Sequence, residues 1–251
     1  MKKIALWSIG IVFALVIFLL VKLPAAHVVY RLPLHNNILL GKVSGSVWNG
    51  KIDRISVNGF VVDKVNWKLS AFPLLIGKLS LDVKGGNIRD VNAIAISGPI
   101  SAPLFNLAHI EAHNLSLYFP SERLIAKAKL PIKLNMGGRF KLRLKELEYG
   151  PNCNALEGTA EWLNANVSLP SGTTTLGNFA ADLACKDEGV AMTLAEPNTL
   201  GLSFASEFSP DFKKFNVSGK FKLDPNLPAE IQQAGNFFGA PETDGYTRFE
   251  L

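Results

Sequence analysis

Three side chains in the run His109-Ile110-Glu111-Ala112-His113 form the nearest approach to a metal-binding constellation in this sequence. On a helix the two histidines stand at i and i+4, and on a strand His109, Glu111 and His113 share one face. Either conformation could present imidazole and carboxylate donors to a divalent cation. A plainer reading gives Ile110 and Ala112 the apolar face of a strand and turns the three polar residues to water. Leu115 and Leu117 then need a bulge after His113 to recover their parity. On that reading no metal is bound.

A second pattern, Arg139, Lys141, Arg143 and Lys145, places four cations on one strand face at period two. It is a candidate polar contact face for phosphate head groups or an acidic protein surface, or else a solvated edge strand that charge protects from further pairing. The signatures of catalysis are missing: no GxSxG, no GxxxxGK[ST], no GxGxxG, no HExxH and no CxxC. The carboxylate pairs Asp53 with Asp63 and Glu146 with Glu148 have no base nearby to divide acid and base roles. No catalytic residue and no cofactor site emerge, which argues against an enzyme.

The elements that would position these residues are strands. Of the 251 residues, 48% are hydrophobic and only two are cysteine, which excludes disordered and disulfide-scaffold chains. The dominant apolar period between residues 34 and 223 is two, the pleat of a half-buried strand. Leu79, Leu81 and Val83 alternate with polar residues, as do Val65, Trp67 and Leu69; Leu130, Ile132 and Leu134; Phe140, Leu142 and Leu144; Phe179, Ala181, Leu183 and Cys185; Val190, Met192 and Leu194; and Phe215, Val217, Phe221 and Leu223. Leu147 and Tyr149 keep the opposite parity from Leu144 and so imply a bulge near Lys145 and Glu146. Turn residues such as Asn58-Gly59, Gly85-Gly86-Asn87 and Gly150-Pro151-Asn152 separate the runs at the spacing of successive antiparallel strands. Helix is expected only at residues 4–21, for a turn at 72–76, and at 228–238. The fold class is mainly β: an N-terminal helix and an elongated antiparallel β-sheet domain, either a curled sheet or a sandwich. One elongated domain is expected; the alternative is two subdomains, 34–149 and 152–251, divided at Gly150-Pro151-Asn152.

Residues 4–21 carry no charge, and Ser8 is their only polar side chain. As a helix these 18 residues reach about 27 Å, close to the thickness of a bilayer's hydrocarbon core. Lys2 and Lys3 precede the run, so the positive-inside rule holds the N-terminus in the cytoplasm and exports the chain beyond the span. Residues 1–22 then make a cytoplasmic tip and a single transmembrane anchor, and 23–251 a periplasmic β-rich domain on the far side of a bacterial inner membrane. Lys2, Lys3 and Lys22 account for three of the five net positive charges. The exported part is therefore nearly neutral and a poor partner for nucleic acid. Cys153 and Cys185, 32 residues apart, both fall where oxidation is permitted, so a disulfide is expected, with two buried thiols as the alternative.

One stretch has a more specific character: Leu39-Leu40-Gly41, then Gly45-Ser46-Val47-Trp48-Asn49-Gly50, then Trp67-Lys68-Leu69 and Phe72-Pro73-Leu74-Leu75-Ile76-Gly77-Lys78-Leu79. With the single span, the overall length and the 150–158 segment around Cys153, the chain resembles the type II secretion system protein N family. The resemblance implies an accessory inner-membrane component that supports export of folded proteins from the periplasm. It would act through non-catalytic contacts with inner-membrane platform proteins, the outer-membrane secretin, or both. From the residues themselves, Trp48 and Trp67 read as large amphipathic anchors at strand ends, while Gly50 and Gly77 permit turns that a Cβ would obstruct. Gly41, Gly45, Trp48, Gly50, Trp67, Leu69, Pro73 and Gly77 are accordingly expected to serve packing and turn geometry. AsmA-like periplasmic proteins share the anchor and the strand-rich Gly/Trp style. A lipid-binding or lipid-transfer protein with an apolar β-groove is the alternative.

Overall fold

The computed structural model describes residues 10–12, 14, 15, 18–32, 37–125 and 135–251. A short helix, α1 (Ala25–Val29), leads into fourteen strands: β1 (Ile38–Leu40), β2 (Val43–Gly45), β3 (Asn49–Val57), β4 (Phe60–Leu69), β5 (Lys78–Gly85), β6 (Ala95–Pro103), β7 (Ile110–Pro120), β8 (Asn135–Tyr149), β9 (Cys153–Leu169), β10 (Gly172–Lys186), β11 (Gly189–Leu194), β12 (Ser203–Phe208), β13 (Phe215–Phe221) and β14 (Thr247–Glu250). Three further helices interrupt them, α2 (Ala71–Leu75), α3 (Ser121–Ile125) and α4 (Ala229–Asn236). The turn expected at 72–76 and the helix expected at 228–238 are therefore present.

All fourteen strands belong to one antiparallel sheet in which each strand from β3 onward pairs with the next. β1 and β2 both run along β3, and between them Gly41 N donates to Arg54 O (2.8 Å) and Asp53 N to Lys42 O (3.0 Å). They are two halves of one bulged edge strand. Neither outermost strand finds the other, so the sheet stays open. Pairing between β8 and β9 continues from Asn135↔Ser168 to Tyr149↔Cys153, up to the Gly150–Asn152 turn.

The sheet curls, as two rings demonstrate. Phe60 on β4 and Phe119 on β7 have centroids 6.2 Å apart. Their strands stand three steps apart, about 14 Å in a flat sheet at ~4.8 Å per step. Their shared face is thus the concave one. It continues through Phe140, Trp162 and Phe179, register partners on β8, β9 and β10 whose rings stack at 5.5 and 5.6 Å. The core on this face includes Ala112, Leu115 and Leu144 in one cluster, and Ala165, Val167, Leu176, Phe179, Ala181 and Leu194 in another. An open sheet that buries one face in this way needs alternation of apolar and polar residues along each strand, and that alternation is what the period-two pattern supplied.

The parity breaks fall where the sequence placed them. Between β8 and β9 the register shifts between Leu144 and Glu146, leaving Lys145 as the extra residue and returning Leu147 to the concave side. Between β6 and β7 a shift separates Ala112 from Ser116, and Asn114 inside it has a φ of +52°. One expectation fails. β8 is flanked by β7 and β9 and is no edge strand, so charge protection of an edge cannot explain its cations.

The expected span at 4–21 lies partly outside the described residues. Where described, 10–21 is helical, with Ile11, Leu15, Phe18 and Leu19 each more than half exposed. Among the described residues no helix is long and apolar enough to cross a membrane. The strand run Leu130, Ile132 and Leu134 also lies outside the described residues.

Candidate functional site

The Gly/Trp stretch assembles at one corner of the sheet, where the N-terminal helix meets it. Trp48 Nε1 donates to Leu20 O (2.9 Å), Val47 N donates to Leu23 O (3.0 Å), and Pro24 bridges to Ser46. Ala25, fully buried, seats α1 against Val43 and Ile52, with Trp67 packed alongside. The Tyr30 hydroxyl donates to Gly41 O (3.0 Å) and accepts from Val43 N (3.3 Å), patching the gap between β1 and β2. A helix laid along an edge strand also blocks further pairing there.

Two glycines make this corner possible. Gly45 has a φ of +84°, and a Cβ there would lie 2.5 Å from Asn49 O. Gly50 pairs with Trp67 across β3 and β4 and leaves room for the indole, whose Nε1 donates to Val47 O at 2.9 Å. Leu69 is buried and its N donates to Trp48 O (2.8 Å). Pro73 lies within α2, and Gly77, φ +76°, closes the turn into β5.

The four cations of β8 have diverged in role. Arg139 is only 8% exposed; it donates to Ile88 O and to Ala93 O (3.1 Å), and its guanidinium carbon lies 4.6 Å from the centre of the Tyr118 ring. Burial pulls its pKa below the usual arginine value, and Nε has no partner among the described residues. Lys141 pairs with Glu161 and Lys145 with Glu157, both at 2.6 Å, and the Glu157 carboxylate raises the Lys145 pKa. Arg143 is exposed and has no ion-pair partner among the described residues. Among the described residues the stripe therefore offers one cation without an ion-pair or buried role, Arg143.

His109, Glu111 and His113 do not converge. His109 Nε2 meets Glu148 Oε1 at 3.1 Å, Glu111 is ion-paired with Lys78, and His113 is exposed beside the Asn114 bulge. Among the described residues no three His, Cys, Asp or Glu side chains gather as metal ligands. Cys153 and Cys185 are joined in a disulfide with Cα atoms 5.6 Å apart, tying the start of β9 to the end of β10.

A cavity of about 320 Å³ lies between α4 and the concave face of β8–β14. Ile231, Ala234 and Phe238 wall it on one side, and Met136, Leu176 and Phe249 on another. Glu230 is the one charged residue lining it; a hydrogen bond from Ser171 holds its carboxyl below the usual range. Such a site, apolar but for that one carboxylate, can hold hydrocarbon.

A family model described as "Type II secretion system (T2SS), protein N" matches residues 36–250. The chain belongs to that family. The protein N of Aeromonas hydrophila is 28% identical over 239 residues, 93% of this chain and 91% of that one. The Vibrio cholerae protein N is 24% identical over 251 residues, and the Pectobacterium carotovorum protein N 22% over 228, covering 96% and 90% of this chain and 94% and 87% of theirs. No solved structure matches. Membership implies a role in type II secretion, and the match spans the sheet side of the corner, the β8 cations, the disulfide and the cavity, while Leu20 to Tyr30 precede it.

Sequence reasoning missed two features of this chain. Arg139 shared the period of its solvated neighbours and so gave no sign of burial. The cavity is built by α4 against strands far from it in sequence, and its local signals are only Ile231 and Ala234 on the helix and Phe238 just beyond it.

Proposed function

We propose that the protein is an accessory inner-membrane component of type II secretion, anchored by residues 4–21, whose periplasmic sheet supports export of folded proteins through non-catalytic contacts with the platform proteins, the secretin, or both. The observation that carries this reading is the fastening of the apolar N-terminal segment to the sheet, at Leu20 by Trp48 and, just beyond the helix, at Leu23 by Val47 and through the buried Ala25 of α1. A helix hydrogen-bonded to the body sets the body's orientation at the membrane, as a component working by contact requires. Family membership supports it. The test is export: deleting the gene should abolish or sharply reduce the appearance of a type II substrate in the medium, and a plasmid copy should restore it. Unchanged export under inducing conditions overturns the reading.

The apolar cavity favours a second reading, in which the protein carries a hydrocarbon chain. Native mass spectrometry of the full chain decides it. One retained lipid, lost when Ala234→Trp fills the cavity, establishes that reading, and equal retention by both proteins excludes it.

A further inference from the structure

We infer that the end of the sheet where the N-terminal helix attaches also rests on the bilayer, through an apolar patch made by α2 and the β6–β7 loop. The inference rests on the reading of residues 4–21 as a membrane anchor. Phe72, Leu75 and Ile76 are 75%, 83% and 71% exposed, and Phe105 and Leu107 are 98% and 52% exposed. Single exposed apolar residues are ordinary on a protein surface, but five in two adjoining turns are not. The turns do adjoin, because Leu104 N donates to Gly77 O (2.9 Å) and Lys78 pairs with Pro103.

The position of the patch identifies what covers it. Asn49 pairs with Lys68, so the start of β3, the end of β4, α2 and the β6–β7 loop all lie at the same end of the sheet. The N-terminal helix joins that end through the Trp48 bond to Leu20. From β3 to β6 is three strand steps, about 14 Å. A rigid patch so close to a bilayer-inserted helix meets head groups and upper acyl chains before anything else. α2 and the turn after it, 71–77, contain no polar side chain, whereas the loop at the far end of β5 sets its exposed Ile88 and Val91 among Asn87, Arg89, Asp90 and Asn92. The exposed Lys22 and Lys68 flank the attachment and suit anionic head groups. The occupant is therefore a lipid surface.

Both native cysteines are bonded, so a thiol introduced elsewhere is unique. Phe105→Cys in the full chain carries a bimane label after reconstitution into phosphatidylethanolamine/phosphatidylglycerol vesicles. Emission is read with doxyl-labelled lipid and, separately, with aqueous iodide. Gly10→Cys reports on the anchor itself and Asn92→Cys on the far end of the sheet. The expected result is loss of most Phe105-site emission to doxyl lipid, with protection from iodide, while the Asn92 site shows the reverse. Quenching of the Phe105 site by iodide overturns the inference, as does protection from both quenchers, which would mean that a second copy covers the patch. A lipid-quenched Gly10 site beside a water-exposed Phe105 site removes the patch proposal and leaves the anchor standing. An iodide-quenched Gly10 site removes the anchor reading.

Discussion

The six-membered ring of Trp67 occupies the space that a side chain at Gly50 would fill: a Cβ there would lie 2.0 Å from Cζ2 and 2.3 Å from Cη2. Neither can move cheaply, because Gly50 is held in the β3–β4 ladder and the indole by its bond to Val47 O. Gly50→Ala should destabilise the protein by about 2–3 kcal/mol, the scale of overpacking a core. Trp67→Leu should be harmful alone yet remove most of the alanine's effect in the double variant. Denaturation midpoints of the four proteins check this, and additive losses would contradict it.

Reducing the Cys153–Cys185 bond frees a loop with a sequence separation of 32, worth about 3–4 kcal/mol in the chain-entropy account. Reductant should lower the denaturation midpoint accordingly. Alkylation of the unreduced, unfolded chain should modify no thiol, and two modified cysteines would refute the bridge.

Arg139 and Arg143 stand four residues apart on β8 and should answer mutation oppositely. Arg139→Met leaves the Ile88 and Ala93 carbonyls without their charged donor and should cost about 2–3 kcal/mol. It should also speed proteolysis within 86–94. Arg143→Met should change stability by less than about 0.5 kcal/mol. If the β8 face touches a partner, Arg143→Glu should lower substrate export without altering the denaturation midpoint.

Asp211 holds the β12–β13 turn by accepting hydrogen bonds from the Ser209 hydroxyl (2.7 Å) and Lys213 N (3.1 Å), and its pKa falls from 3.8 to about 2. A depressed carboxylate stabilises the fold above its unfolded value, and that contribution is lost as pH falls through the folded one. The turn should therefore keep Phe212 stacked on Tyr149, with centroids 5.8 Å apart, until the pH nears 2. Carboxyl NMR should show a midpoint near 2 that rises in Ser209→Ala. A wild-type midpoint of 3.8 would contradict the geometry.

Much of the sheet was legible because half-burial leaves its mark as alternation in strands such as β4, β5, β8 and β10. The bulges at Lys145 and after His113 were equally plain, since a parity break within one strand has no other cheap cause. What stayed hidden depends on curvature and on long-range approach. Nothing local brings Phe60 to Phe119 or folds residues 88–93 over Arg139, so a regular stripe of cations concealed one buried member and two paired ones. The candidate corner was half legible. Gly45, Trp48, Gly50 and Trp67 announced themselves by type and spacing, but their service to Leu20 and Ala25 could be known only from the folded chain.

The proposed tether and orientation are tested most directly by paired fusions at Leu251 of the full chain, one to a phosphatase active only after export and one to a β-galactosidase active only in the cytosol. The account predicts phosphatase activity alone. Strong galactosidase activity with an inactive phosphatase would put the sheet on the wrong side of the membrane and contradict it.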